Sequence, residues 1–89
     1  MQKSLTSPDY ARLVALLVAA RQKAGVRQRA LADALGVPQS FVAKYESRER
    51  RLDMLEFLTI AQALGANPIR LLRDFLAGKA PKAAKKRKS

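Results

Sequence analysis

The stretch QRALADALGVPQSFVAKYES, residues 28–47, predicts two short helices joined by a tight turn. In its first half, Leu31, Ala32 and Leu35 fall three and four residues apart, which is the spacing of one helical face. Gly36 follows at once, and a glycine after the last periodic residue is the usual left-handed stop of a helix. The first helix is therefore expected to end before Gly36.

The second half predicts a helix that packs back on the first. Pro38 is favoured at a first helical position, and Val42 and Tyr45 lie three apart on the inner side. Two helices that meet at a steep angle need a small side chain at their contact and a glycine where the chain reverses. Ala32 and Gly36 supply both, four residues apart. The pattern predicts a helix-turn-helix.

The outward face of the second helix has the chemistry of a DNA reader. At about 100° per residue, the helix divides into two sets of side chains. The inward set is Phe41, Val42, Tyr45 and Glu46, and the outward set is Gln39, Ser40, Ala43, Lys44 and Ser47. The outward side chains are hydrogen-bonding, small or cationic, which suits base edges in the major groove. The alternative is the solvated face of an ordinary helical hairpin.

Composition excludes several classes of protein. Eighty-nine residues make one small domain, and the chain has no cysteine and no histidine. Thiol nucleophiles, imidazole bases and the usual zinc ligands are therefore missing, so we expect no cofactor, no metal and no enzyme activity. The apolar run 13–20 is far shorter than the roughly 20 residues that span a membrane. With no signal-peptide pattern at the start, the sequence predicts a soluble cytoplasmic protein.

The charge of the chain favours a polyanionic partner. Eighteen basic and seven acidic residues leave a net charge of +11. Six of the basic residues lie in residues 77–89, so residues 1–76 still carry +5. Double-stranded DNA is the default partner for so basic a small domain.

Three further helices are predicted around the central pair, over residues 8–24, 54–64 and 68–77. Their starts carry Ser7-Pro8, Asp53 with Glu56 three residues later, and Asn67-Pro68, and their ends carry Gly25, Gly65 and Gly78. No strand pattern appears in the sequence. We predict an all-α domain of five helices over residues 8–77, a flexible arm over residues 1–7 and a disordered lysine-rich tail over residues 78–89.

A buried ion pair is predicted between the first and third helices. Arg21 lies on the inward stripe of the first helix, and Glu46 lies on the inward edge of the third. A charge in such a position needs a partner, so the two side chains are expected to pair.

Residues 20–65, ARQKAGVRQRALADALGVPQSFVAKYESRERRLDMLEFLTIAQALG, resemble the phage-repressor (Cro/repressor-like, xenobiotic-response-element) helix-turn-helix family. The shared markers include an Arg late in helix one, Gln opening helix two, Ala-x-x-x-Gly-Val across the turn and a Gln-Ser start to the recognition helix. A Glu near the end of that helix and A-x-A-L-G closing helix four complete the match, which runs from about Val14 to Leu72. The resemblance implies a five-helix lambda-repressor-like DNA-binding domain.

The resemblance also implies roles for individual residues. The base-reading positions of the family correspond to Gln39, Ser40 and Lys44, with Ala43 on the same outward face. The Gln that opens helix two, here Gln28, buttresses the first of these and touches a phosphate. The implied DNA-backbone contacts are Arg27, Gln28, Ser47, Arg48 and Arg50.

Three positions leave alternatives open. Arg27 stands where a capping Ser or Thr is usual, so it either binds a phosphate together with the helix start or is an ordinary solvated arginine. Phe41 stands where the family often has a small hydroxyl residue, and it either packs inward or meets a thymine methyl group. Arg48 stands where the family often has Gly, which leaves the geometry of that turn open.

Members of the family usually bind DNA as twofold dimers, with recognition helices about 34 Å apart. Helix five carries more apolar residues than one packed stripe needs, and its outer side is the expected dimer surface. The residues are Ile69, Leu71, Leu72, Phe75 and Leu76, of which Ile69, Leu72, Phe75 and Leu76 are assigned to dimerisation. The alternative is that they complete a small core.

These observations predict a sequence-specific, DNA-binding transcription regulator, a dimeric repressor that occupies a palindromic operator. An alternative is the antitoxin of a toxin-antitoxin pair, although neither the arm nor the tail has the apolar anchors that toxin binding would need. A second alternative is a non-specific DNA-compacting protein, which the charge would suit.

Overall fold

A computed structural model describes residues 7–79 and 81 of the chain. It contains five helices: α1 (Pro8–Lys23), α2 (Gln28–Leu35), α3 (Gln39–Glu46), α4 (Met54–Ala63) and α5 (Pro68–Leu76). No strand occurs among these residues, and the predicted all-α, five-helix fold is confirmed. The predicted arm and tail fall outside the described residues, apart from residues 7, 78, 79 and 81. Pro38 is the N-cap of α3 and not its first helical residue, so α3 begins one residue later than the sequence indicated.

The helices that flank the helix-turn-helix begin with side-chain caps. The Ser7 hydroxyl accepts a hydrogen bond from the amide of Tyr10 at 3.0 Å. Asp53 and Glu56 form the predicted capping box at the start of α4, and the Asn67 carboxamide oxygen accepts from the first amides of α5. In contrast, α2 and α3 begin without a side-chain cap. The capping side chains therefore leave their first backbone N–H groups unbonded, although the Phe41 amide donates to the Pro38 carbonyl at 3.0 Å.

All five helices end in the same backbone arrangement, in which the chain turns left-handed. Four of them use a glycine with φ between 71° and 77°, namely Gly25, Gly36, Gly65 and Gly78. The exception is α3, where Arg48 adopts φ 66°. The amide of Glu49 donates to the carbonyl of Lys44 at 2.8 Å, which closes the same motif. The turn after α3 thus keeps the geometry that glycine favours, although an arginine occupies it.

The core lies where the inner faces of the helices meet. Leu17, Leu31, Val42 and Ile60, one from each of α1 to α4, are almost completely buried. Ala32 is also fully buried, as expected for a small residue at a close helix contact. The core therefore holds α3 from its inner side and leaves its outer side to solvent.

The apolar residues of α5 differ in how far they are buried. Leu71 is its buried residue, whereas Ile69 and Leu76 are 64% and 81% exposed. The alternative that these residues complete a small core is therefore wrong for these two side chains. Helix α5 contacts α1 at Phe75, where the Arg12 guanidinium donates to the Phe75 carbonyl at 2.6 Å and lies 4.5 Å from the centre of the Phe75 ring.

Candidate nucleic-acid interface

The predicted base-reading side chains lie together on the outer face of α3. Gln39, Ser40 and Lys44 are exposed, and Ala43 between them is half-buried. None of the three exposed side chains makes a hydrogen bond or an ion pair with any other described residue. Two hydrogen-bonding groups and one cation are therefore available to base edges along about one turn and a half of helix.

The inner face of α3 is held firmly. Val42 and Tyr45 have no exposed surface. Phe41 is half-buried and meets Tyr45 edge to face, with ring centroids 6.0 Å apart. The Arg50 guanidinium lies 4.6 Å from the centre of the Phe41 ring. Of the two alternatives for Phe41, the structure shows inward packing.

The end of α3 is tied to α1 by the predicted ion pair. Arg21 binds the Glu46 carboxylate through two nitrogens, at 2.6 Å and 3.0 Å, and the two side chains are only 13% and 8% exposed. Arg21 also donates to the carbonyl of Val26 at 2.8 Å, so it fixes the link between α1 and α2 as well. The prediction from the sequence is confirmed.

Gln28 completes this network in a way that the sequence did not indicate. Its amide nitrogen donates to the Glu46 carboxylate at 2.9 Å. The resemblance had assigned Gln28 to support the first base-reading residue, Gln39. In the structure it is bonded instead at the far end of α3, and through Glu46 it joins the start of α2 to the end of the recognition helix.

The loop after α3 carries three arginines, and their side chains differ in their contacts. Arg48 and Arg51 are exposed and have no side-chain partner among the residues that the structure describes. Arg50 turns back to Glu56, which it binds through two nitrogens at 3.0 Å and 2.9 Å. The Glu56 pKa is lowered mainly by this hydrogen bond, and the pKa of Arg50 is raised by it. The positive charge of Arg50, predicted to hold a phosphate, is thus already balanced within the protein.

The remaining predicted contacts to the DNA backbone are Arg27 and Ser47. Arg27, at the uncapped start of α2, is exposed and has no described partner. The Ser47 hydroxyl lies 3.1 Å from the Lys44 carbonyl and 2.9 Å from the Glu49 carboxylate. Ser47 is therefore engaged locally, whereas Arg27 is available to a phosphate.

Sequence reasoning missed Arg51 as a member of this surface. The motif S-R-E-R-R offers three arginines, and nothing in their spacing tells which of them pairs with an acid. The structure places Arg51 in solvent and Arg50 against Glu56. Arg27, Lys44, Arg48 and Arg51 are exposed cations that have no side-chain partner among the described residues.

The residues assigned to dimerisation fall into two groups. Ile69 and Leu76 are open to solvent, whereas Leu72 and Phe75 are half-buried. Among the residues that the structure describes, the large exposed apolar side chains outside α5 are Met54 and Leu55, at the start of α4. In the described part of the chain, no helix is long and apolar enough to cross a membrane.

Comparisons with known proteins agree with this geometry. A helix-turn-helix family model matches residues 17–72, which include α2, α3 and α4 completely. A solved structure, the XRE-family like protein from Pseudomonas syringae pv. tomato str. DC3000, is 46% identical to the chain. That match covers 79% of this chain and 85% of the other, with a TM-score of 0.77. The comparison with curated proteins finds no match.

The family match spans more than half of the chain, and it contains the uncapped α2 start, the exposed face of α3 and the loop that follows. The chain therefore belongs to the Cro/repressor-like, XRE-type helix-turn-helix family and is a DNA-binding transcription regulator.

Proposed function

We propose that this protein is a dimeric repressor that binds a palindromic operator through α3 and excludes RNA polymerase by occupying the site. The observation that carries the proposal is the outer face of α3, where Gln39, Ser40 and Lys44 are exposed and their side chains unbonded, while Val42 and Tyr45 on the inner face are completely buried. A recognition helix needs this combination, since base contacts require free donors and acceptors at fixed positions.

Phosphate contacts by arginines outside α3 would set the position of α3 in the groove. Arg27 lies at the uncapped start of α2, where backbone N–H groups and the helix dipole favour an anion. Arg48 lies beyond the end of α3. Contacts of this kind add affinity on every sequence, whereas Gln39, Ser40, Ala43 and Lys44 would supply the preference for particular bases.

The twofold dimer would form through the outer side of α5. Ile69 and Leu76 supply open apolar surface there, and Leu72 and Phe75 lie partly beneath it. A dimer places two recognition helices in successive major grooves, which doubles the number of bases read and implies a palindromic operator.

Gln39→Ala tests whether α3 reads bases. A high-affinity duplex is first selected from random DNA with the parent protein, and affinities are then measured on it and on a random duplex. Because a good base contact discriminates by about 1 to 3 kcal/mol, Gln39→Ala should lower binding to the selected duplex far more than binding to the random one.

Gln62→Ala is the matched control, since Gln62 is an exposed glutamine on α4. It should leave both affinities unchanged. Equal losses on both duplexes for Gln39→Ala would count against a recognition role for α3.

A further inference from the structure

One guanidinium joins three parts of the structure next to the DNA-binding surface. Arg50 binds both carboxylate oxygens of Glu56 on α4, at 3.0 Å and 2.9 Å. It also donates to the carbonyl of Arg51 in the loop at 3.0 Å, and it covers the ring of Phe41 on α3 at 4.6 Å. The Arg50 side chain therefore links the recognition helix to the start of α4.

The contact on Phe41 falls on the turn of α3 where base reading begins. Phe41 directly follows Gln39 and Ser40, and it is only half-buried, so the core holds the ring incompletely. The far end of α3 is fixed separately by Glu46. Rotation of α3 about its axis decides which side chains face a groove, and the ring of Phe41 under Arg50 opposes this rotation at the first turn together with the buried Val42.

Glu56, at the other end of the link, is held in place by a second contact. Glu56 is part of the capping box, in which its carboxylate also accepts from the amide of Asp53 at 2.9 Å. The loop between the two helices is pinned as well, because the Tyr10 hydroxyl accepts from the amide of Leu52 at 2.9 Å. Phe41 is thus held against a fixed frame formed by α4, the loop and α1.

We propose that Arg50 and Glu56 are positioning residues of the DNA interface, which set the base preference of α3 through Phe41 without touching DNA. This inference rests on the proposed function, since it requires that α3 reads bases. It reverses the role expected for Arg50: three of its N–H groups are engaged within the protein and its charge is balanced by Glu56, so the phosphate contacts fall to the unpaired Arg48 and Arg51.

Glu56→Gln separates the two roles, because they predict different results for the ratio of selected-duplex to random-duplex affinity. Gln at this position keeps the capping box, so α4 still has its cap. If Arg50 were a phosphate ligand, its release and the loss of one acid would raise affinity for every duplex. If Arg50 positions α3, we expect the ratio of selected-duplex to random-duplex affinity to fall about tenfold, the size of a typical coupling between residues in one network.

Two controls exclude trivial causes. Asp33→Asn removes an exposed acid of α2 that has no described partner, and it should raise both affinities alike. Leu58→Ala destabilises α4 from a half-buried position of the core periphery, and it should lower the melting temperature without changing the ratio. All affinities are measured well below the melting temperature of each variant.

The Arg50–Glu56 pair is 41% and 28% exposed, and such surface pairs contribute little to folding.

Arg50→Lys is the second variant. Lysine keeps the positive charge but cannot bind Glu56 through a planar fork or cover the Phe41 ring in the same way, so the ratio should again fall. An unchanged or raised ratio in Glu56→Gln would overturn the proposal. If Gln39→Ala lowers the ratio in the same assay, an unchanged or raised ratio in Glu56→Gln removes only the positioning role. If Gln39→Ala does not lower the ratio, α3 does not read bases and the proposed function itself is wrong.

Discussion

At the scale of single residues, Arg48 adopts the left-handed backbone conformation that a glycine adopts at the ends of the other four helices. A left-handed conformation costs a residue with a Cβ atom about 1 to 2 kcal/mol. The four other helix ends avoid that cost. The arginine is exposed and unpaired, and it lies directly beyond the recognition helix. Strain retained at such a position is consistent with a binding role for the side chain.

Arg48→Gly should make the protein more stable and a weaker DNA binder. Removing the strain should raise the free energy of unfolding by about 1 to 2 kcal/mol. The greater backbone freedom of glycine in the unfolded chain should lower it by about 0.5 to 1 kcal/mol. Loss of one phosphate contact should flatten the slope of log affinity against log salt by about 0.9. Thermal unfolding and DNA titrations measure both effects. Arg48→Ala is the control, because it loses the contact and keeps the strain; if it proves more stable than Arg48→Gly, the strain argument fails.

Tyr45 presents the second residue-scale prediction. Its ring is fully buried, and its hydroxyl has no hydrogen-bond partner in the described part of the chain. An unsatisfied buried hydroxyl is unfavourable, so Tyr45→Phe should leave stability at pH 7 unchanged or raise it by about 1 kcal/mol. The control is Tyr10→Phe, which removes a hydroxyl that accepts from the Leu52 amide and should destabilise. A clear loss of stability in Tyr45→Phe would contradict the prediction.

The two tyrosine variants should also differ in alkaline solution. Burial raises the pKa of Tyr45, with a smaller contribution from the charge of Glu46. A group whose folded pKa is raised contributes stability that is complete below its unfolded pKa, about 10 for tyrosine, and is lost as the pH rises above it. The parent protein should therefore lose more stability between pH 9 and about 11 than Tyr45→Phe. Parallel pH curves would show that folding does not raise the pKa of Tyr45.

At the scale of helices, the joint between α1 and α3 is polar although its surroundings are apolar. Arg21, Glu46 and Gln28 form one hydrogen-bonded network, which also includes the carbonyl of Val26. A nearly buried ion pair of this kind adds little to stability compared with an apolar pair, but removal of one partner leaves a buried charge. The network also fixes the angle between the helices, because its bonds are directional.

Glu46→Ala should therefore lower the free energy of unfolding by about 3 to 5 kcal/mol. The double variant Arg21→Met/Glu46→Leu should lose less, since it leaves no unpaired charge in the joint. Denaturant unfolding of the parent and both variants checks the order. A melting temperature for Glu46→Ala within a degree or two of the parent would show that the pair is not buried in solution.

At the scale of the whole molecule, the apolar surface that the core does not use is concentrated at two places. One is the outer side of α5, with Ile69 and Leu76, and the other is the start of α4, with Met54 and Leu55. The proposed dimer uses the first. Isolated exposed apolar residues are common, so only the oligomeric state can decide between an interface and an ordinary surface.

The double variant Ile69→Glu/Leu76→Glu should be a monomer, because like charges would meet across a twofold interface. Sedimentation equilibrium measures the mass, and DNA titration should show weaker operator binding. Leu55→Glu is the matched control, since it places the same charge at an equally exposed leucine of α4. An unchanged mass in the double variant would exclude α5 as the interface, and dissociation by Leu55→Glu alone would move the interface to α4.

Much of this protein could be predicted from its sequence, because much of it is decided by local chemistry. The ends of the helices follow from capping residues and glycines within a few positions, and they were predicted to within about a residue. The helix-turn-helix, its outward face and the Arg21–Glu46 pair also follow from periodicity. Two opposite charges on facing inner stripes stabilise each other away from water, so their pairing could be predicted without knowledge of distances.

Only the tertiary structure decided which side chains are already engaged. Arg48, Arg50 and Arg51 are alike in sequence, and the position of α4 relative to the loop gives Arg50 alone a carboxylate within reach. The same holds for Gln28, which is bonded to Glu46 and not at the start of α3. On α5, packing against α1 selected Leu71 for the core and left Ile69 and Leu76 outside. These outcomes depend on distances between helices, which the period of a single helix does not contain.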